Sequence, residues 1–495
     1  VLARDASMRL GFQHSYSTLP GSFHIRIEPT PVPNPQLVVF NTTLAEDLGL
    51  DPGAIEPHAA TLFSGNQLPE DAQPIAMAYA GHQFGMFVPR LGDGRAILLG
   101  ELRDRDGILR DVQLKGAGRT PFSRNGDGRA VIGPMLREYL ISEAMHALRV
   151  PTTRSLAVVT TGETVYRDEP LPGAVLTRVA SSHVRVGTFQ YFAARGDGEA
   201  LRQLADYVIA RHYPAAREAD SPVLAMLQEI TERQVALITD WMLLGFIHGV
   251  MNTDNMALSG ETIDYGPCAF MDHYDPKTVF SSIDHSGRYA YTNQPAIAQW
   301  NLARFAETLL PLIDPDMEKS VALATQAVAP VIEKFDSRFL AGMRRKLGLS
   351  VPMDGDAELV RDLLTTMERS RADFTLTFRR LTLLAADPAK RSDSRELFGA
   401  ESGLEGWLEN WQQRLARDPQ ASPERVATMQ AASPKFIPRN HRVETALRSA
   451  EKGDYSPFRT LLRVLQRPYD EQPDQAEYAL PPEPSERVLQ TFCGT

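Results

Sequence analysis

The chain has 495 residues, 43% apolar and 23% charged, a composition that excludes wholesale disorder and provides for a large two-lobed body with extensions. Its 52 basic and 62 acidic side chains leave a formal net charge of −10, which argues against a dedicated nucleic-acid binder or a protein held on anionic lipid. With only two cysteines, Cys268 and Cys493, a disulfide framework and an all-cysteine zinc site are excluded, and a reducing compartment fits.

Residues 1–75 are rich in proline and loop signals and are expected to form an extension wrapping a core. The first ten residues carry Arg4, Asp5 and Arg9 with no apolar run behind them, unlike a secretory signal. From about 81 to 180, short β-branched runs (AILLGEL, DVQLK, SLAVVTT, GAVLTRV) alternate with glycine-rich turns around one helical stretch, PMLREYLISEAMHAL, which predicts a small sheet with one helix. Ser221, in N-cap position, and Pro222 open a long apolar-periodic helix that ends near His248. The apolar stretch 241–251 is interrupted by His248 and is shorter than the roughly 18 residues of a membrane span, so no membrane association is expected. Beyond Pro295 amphipathic helices dominate, followed by a proline-rich acidic tail expected to be mobile unless something fastens it.

Four elements follow the order of a kinase-type phosphotransfer site. The first is the glycine turn Gly92-Asp93-Gly94-Arg95, where backbone N–H groups can approach phosphate oxygens and an arginine adds charge. The second is VQLK, whose Lys115 closes an apolar strand, with Glu138 on the following helix as its expected ion-pair partner in preference to Glu143. The third is the loop IHGVMNTDNM: Val250 stands where the kinase catalytic loop has its base, while Asn255 keeps the spacing of the metal-binding asparagine. The fourth is Asp264-Tyr265-Gly266, in the place of the kinase metal-ligand motif. Asn255 and Asp264 offer hard oxygen ligands suited to Mg2+, with Mn2+ as an alternative. Asp254 is the nearest carboxylate able to replace the missing base. Arg178 and Arg185 are candidate phosphate contacts.

These strings, together with GHQFG at Gly81, KGAGRTPFSR from Lys115, DGRAV at Asp127 and LREYL at Leu136, resemble the selenoprotein O family of pseudokinases, called YdiU in bacteria, across most of the chain. The resemblance implies an α+β, protein-kinase-like two-lobed fold: an extension over 1–75, a β-rich lobe over 76–185, a helical lobe over 186–330, and a helical extension with a mobile cysteine-containing tail over 331–495. It implies a protein adenylyltransferase that moves AMP from the co-substrate ATP, bound in a flipped orientation, to Ser, Thr or Tyr hydroxyls of protein substrates with release of pyrophosphate. Carried over by residue, Gly92, Gly94, Arg95, Lys115, Asp127, Gly128, Arg178 and Arg185 line the nucleotide site and Glu138 orients Lys115. Asn255 and Asp264 hold magnesium, and Asp254 accepts the proton. A monomer is expected, cytoplasmic if bacterial and mitochondrial if eukaryotic. The family carries a redox-active residue near the C-terminus, and the expectation here is a reversible disulfide between Cys493 and Cys268. The competing readings are ordinary γ-phosphate transfer and a non-catalytic ATP-binding scaffold.

Overall fold

The computed structural model describes residues 3–5, 8–390, 396–398 and 403–492. It is an α+β structure with a β-rich N-terminal region and a helical C-terminal region. The main sheet is antiparallel and runs in the order His24–Arg26, Ile75–Met77, Ala96–Arg103, Leu109–Lys115, Pro170–Ala180, Arg154–Tyr166, Gln36–Phe40, with Ala130–Val131 pairing alongside Pro170–Ala180. The proline-rich stretch expected to wrap the core therefore supplies both edge strands of the sheet.

Both faces of this sheet are covered, which is why its strands read as nearly continuous apolar runs. Side chains alternate between faces: Leu98, Val158, Ala174 and Leu176 pack into the main core, while Ile97, Leu99, Val159 and Val175 pack into a second cluster beneath Leu44, Leu62 and Phe63. The main-core face holds the helix Ile132–Ala147, buried along nearly its whole length, charged residues included. On its far side lie the helices Asn440–Glu451 and Ser456–Leu465, so the C-terminal helices pack back onto the sheet region.

The helix Pro222–Leu244 crosses the helical region and stops at Gly245, whose φ of +71° forms a left-handed C-cap. Ser221 takes the N-cap position, but its side chain makes no cap bond. Directly after Gly245, Phe246–Ile247 pairs with Ala269–Phe270 and pins both ends of the 248–268 loop segment. No helix among the described residues is long and apolar enough to cross a membrane.

The tail, expected to be mobile, is fastened as far as it is described. Arg439, fully buried, donates to Asp373, Asp272 and the Ala479 carbonyl. Further on, Thr491 bonds to Phe280 through its N–H (2.8 Å) and to the Pro267 carbonyl through its hydroxyl (2.5 Å). Cys493 lies outside the described residues. Cys268 is fully buried, and burial, opposed by Arg137, pushes its thiol up to about 11.

A buried polar relay joins the two regions. His183 donates its backbone N–H to Asp111 Oδ2 (2.8 Å) and sets Nδ1 against the same oxygen, while Arg211 of the helix Gly198–His212 donates to Asp111 Oδ1 at 2.6 Å. Burial lowers His183 from 6.5 to about 4 and its neighbour His212 to about 3. Both are neutral when folded, so below pH 6.5 the unfolded chain binds protons that the folded chain cannot, and stability falls as pH falls. Urea unfolding at about pH 7 and about pH 5 should show a loss of roughly 2 kcal/mol for each histidine, and His183→Asn should remove its share.

Candidate functional site

The site is a cleft of about 470 Å³ between the sheet and the 248–268 segment. All the residues singled out from the sequence line it: Gly92, Gly94, Arg95, Lys115, Asp127, Gly128, Glu138, Arg178, Arg185, Asp254, Asn255 and Asp264. The strand Leu109–Lys115 delivers Lys115, and the neighbouring strand Pro170–Ala180 delivers Arg178, placed directly opposite Gln113. Gln113 and Lys115 share one strand face by the two-residue repeat, so the two cations arrive side by side.

At the centre stands Asp264. Its Oδ1 accepts from Lys115 Nζ (3.0 Å) and Arg178 Nη1 (2.6 Å), and its Oδ2 from Arg185 Nη1 (2.7 Å). Glu138 accepts from Lys115 at 2.5 Å and from Arg178 at 3.2 Å. Glu143, the alternative partner, is instead committed to Arg154 and Asn41 on the far side of the helix. Burial pushes the Asp264 carboxyl up, but Arg178, Lys115 and Arg185 outweigh it and hold the group well below the usual carboxylate range. Burial likewise opposes the charge of Arg178, and Asp264 and Glu138 reverse that, leaving its pKa raised. Asp264 has φ +63°, an uncommon conformation for a residue with a side chain, and its carbonyl accepts from Gly266 N–H at 2.9 Å.

The glycine turn lies against the loop 116–129. Thr120 donates to the Asp93 carbonyl (2.6 Å), and Ser123 donates to the Gly94 carbonyl. The approach requires glycine: a Cβ on Gly92 (φ +74°) would stand 2.3 Å from the Phe122 ring, and one on Gly128 (φ +70°) 2.1 Å from the Gly118 carbonyl oxygen. Asp127 holds the rim through a two-pronged pair with Arg167 at 2.8 and 2.9 Å.

On the opposite wall, His248 is structural: its Nε2 bonds to the Ile263 carbonyl (2.9 Å), and its ring stacks on Trp241. Asn255 Nδ2 donates to the Val250 carbonyl (3.0 Å), leaving its amide oxygen available. The Asp254 side chain is pushed up to about 6 by burial, against the lowering influence of Arg185 and Gln83, and its Oδ1 is buried without a partner.

The sequence reading did not assign several residues that shape this cleft. Gln113 accepts from Arg178 Nη2 at 2.6 Å. The Arg185 guanidinium lies over the Tyr79 ring, 4.7 Å from its centroid. Asp93, pushed up to about 6 by burial, accepts from Met77 N–H and Gln113. Gln83 donates to Asp254 at 3.2 Å. The strand alternation that placed Lys115 also placed Gln113 beside it; for Tyr79, Asp93 and Gln83 no spacing signal points to these partners.

A metal ion suits this donor set. The amide oxygen of Asn255 and the carboxylate of Asp264 are hard oxygens of the kind Mg2+ prefers, and they are the residues that would hold it. Among the described residues there is no cluster of three or more His, Cys, Asp or Glu side chains that would hold a metal by itself.

Because Lys115, Arg178, Glu138 and Asp264 are buried together, removing one carboxylate leaves cations without a counter-charge. Glu138→Gln should lower stability by about 3–5 kcal/mol, read as a fall in urea midpoint at unchanged slope.

The sequence model described as "Protein adenylyltransferase SelO" matches residues 6–466. The chain is 60% identical to the "Protein nucleotidyltransferase YdiU" of Rhizobium meliloti (strain 1021) over 485 residues, 98% of this chain and 99% of the relative. The protein of the same name from Rhodopseudomonas palustris (strain BisB5) is 60% identical over 486 residues, again 98% and 99% of the two chains. That of Rhizobium etli (strain CIAT 652) is 61% identical over 490 residues, 99% and 98%. Matched over nearly its whole length, with the charged cleft between its two regions, the chain belongs to the protein adenylyltransferase SelO family, a family of nucleotidyltransferases.

Proposed function

We propose that this protein transfers AMP from ATP to the hydroxyl of a serine, threonine or tyrosine on a protein substrate. The observation that carries the reading is the convergence of Lys115, Arg178 and Arg185 on Asp264 in the cleft that also contains the buried Asp254. Three cations beside one carboxylate form a polyphosphate site in which each charge is already oriented before the ligand arrives, so little reorganisation accompanies the reaction. The family membership supports ATP as the co-substrate.

In this reading the β-rich region over 76–185 and the helical region over 186–330 act as two kinase-like lobes, with 1–75 and 331–495 as extensions. Gly92, Gly94, Arg95, Asp127 and Gly128 shape the nucleotide wall. Lys115, held by Glu138, works with Arg178 and Arg185 to bind the phosphates. The nucleotide is flipped relative to a kinase, so that the α-phosphorus meets the acceptor. Asn255 and Asp264 would hold Mg2+ or Mn2+, which would supply charge neutralisation on the phosphate oxygens. The acceptor oxygen attacks the α-phosphorus, the bond to the bridging oxygen breaks, and pyrophosphate leaves. Asp254 takes the hydroxyl proton. Its burial suits that role, because a carboxyl raised to about 6 is a stronger base than an exposed aspartate. Val250 at the kinase base position disfavours ordinary γ-phosphate transfer.

Parallel incubations with ATP labelled on the α- or the γ-phosphate test the assignment. Label is expected on protein from the α-position alone, with pyrophosphate as co-product. Asp264→Ala and Lys115→Ala should each lower incorporation by about 100-fold or more. Incorporation from the γ-position would make the protein a kinase, and ATP binding with neither product would make it a scaffold.

A further inference from the structure

The hairpin at 81–88 grips the loop that carries Asp254. Its strands Gly81–Gln83 and Met86–Val88 pair antiparallel around a two-residue turn, Phe84-Gly85, with φ of +51° and +83°. Three successive loop residues are each held by one hairpin residue. Phe84 N–H donates to Asn252 Oδ1 at 3.0 Å, His82 N–H to Thr253 Oγ1 at 2.7 Å, and Gln83 Nε2 to Asp254 Oδ2 at 3.2 Å. The Asn252 and Thr253 grips are braced from behind: the Tyr289 hydroxyl donates to Asn252 Oδ1 (2.7 Å), and Thr253 Oγ1 donates to Gln190 Oε1 (2.6 Å), whose amide nitrogen meets His82 Nδ1 at 2.8 Å. Successive side chains of a strand point to opposite faces, so His82 turns its ring toward Gln190 and Trp300 while Gln83 reaches Asp254.

Asp254 is held from its other side by shape. A Cβ on Gly81 would stand 2.5 Å from Asp254 Oδ1, so only glycine fits there, and that oxygen is the one without a hydrogen-bond partner. One carboxylate oxygen is thus fixed by an amide donor, and the other is buried against Gly81 with no hydrogen-bond partner.

We propose that Gln83 is a positioning residue: by donating to Oδ2 while Oδ1 lies packed against Gly81, it fixes the rotation of the Asp254 carboxylate in the orientation that takes the acceptor proton. This rests on the reading of Asp254 as the proton acceptor. Gln83 itself touches neither the phosphates' cations nor Asp264 through any hydrogen bond, so its contribution belongs to the chemical step and not to nucleotide affinity. A carboxylate free to rotate holds the productive orientation only part of the time, and misplacement of about 1 Å at a reacting centre can cost 100-fold.

The test uses the full-length enzyme, with pyrophosphate release measured against ATP concentration and reduced, alkylated casein as a source of exposed hydroxyls. Gln83→Met, which keeps length and removes the donor, should lower the maximal rate about 10- to 100-fold with the half-saturating ATP concentration and the thermal midpoint unchanged. In an Asp254→Asn background, Gln83→Met should cause no further loss, because the group it positions is gone. A full rate in Gln83→Met, a multiplicative loss in the double variant, or weakened ATP binding would each overturn the proposal. Full activity in Asp254→Asn alone would remove the reading of Asp254 and the proposal with it, an outcome distinct from a failure of Gln83 alone.

Discussion

Three cations meet one carboxylate at Asp264, and the arrangement of the cleft depends on that meeting. Lys115 and Arg178 come from adjacent sheet strands, Arg185 from the start of the helical region, and Asp264 from a loop between two short strands of that region. Taking these charges out of water separately would be costly, and only their mutual compensation, completed by Glu138, makes the buried cluster tolerable. The same compensation draws the sheet and the helical region together. The positive φ of Asp264 is local strain held in place by bonds from three directions.

The helix Ile132–Ala147 is the second organising element. It is apolar on most sides and carries Arg137 and Glu138 into the interior next to each other. Glu138 turns to Lys115, while Arg137 donates to the carbonyls of Gly266 and Cys268, gripping the loop that follows Asp264. One buried helix thus secures both the strand lysine and the loop aspartate, and the C-terminal helices packed on it hold it from behind. The tail continues this enclosure, with Thr491 bonded to Pro267, the residue preceding the buried Cys268.

Much of the site was readable in order along the chain. The strand ending in Lys115 and the helix containing Glu138 follow from apolar periodicity, and the spacing from His248 to Asn255 and Asp264 identified the loop residues. The preference for Glu138 over Glu143 agrees with the structure because the two glutamates, five positions apart, lie on different faces of one helix, and Arg154 claims the second. Two readings about the ends of the chain needed the fold. The proline-rich start is part of the sheet because its short extended runs complete both edges, and the acidic tail is fastened by backbone bonds that composition does not reveal.

The division between what the sequence determined and what tertiary structure decided follows from the range of the forces involved. Period-two and helical apolar patterns, glycine turns and the order of charged motifs are local properties, and they specified the sheet, the buried helix and the identity of the charged residues. Which oxygen of Asp254 is held by Gln83 and which is packed against Gly81, why Gly81 must lack a side chain, and how Gln113, Tyr79 and Asp93 support the arginines depend on contacts between segments tens to more than a hundred residues apart. A hydrogen bond or a close packing contact is made only at a few ångströms, and only the folded chain brings those distant residues within that reach.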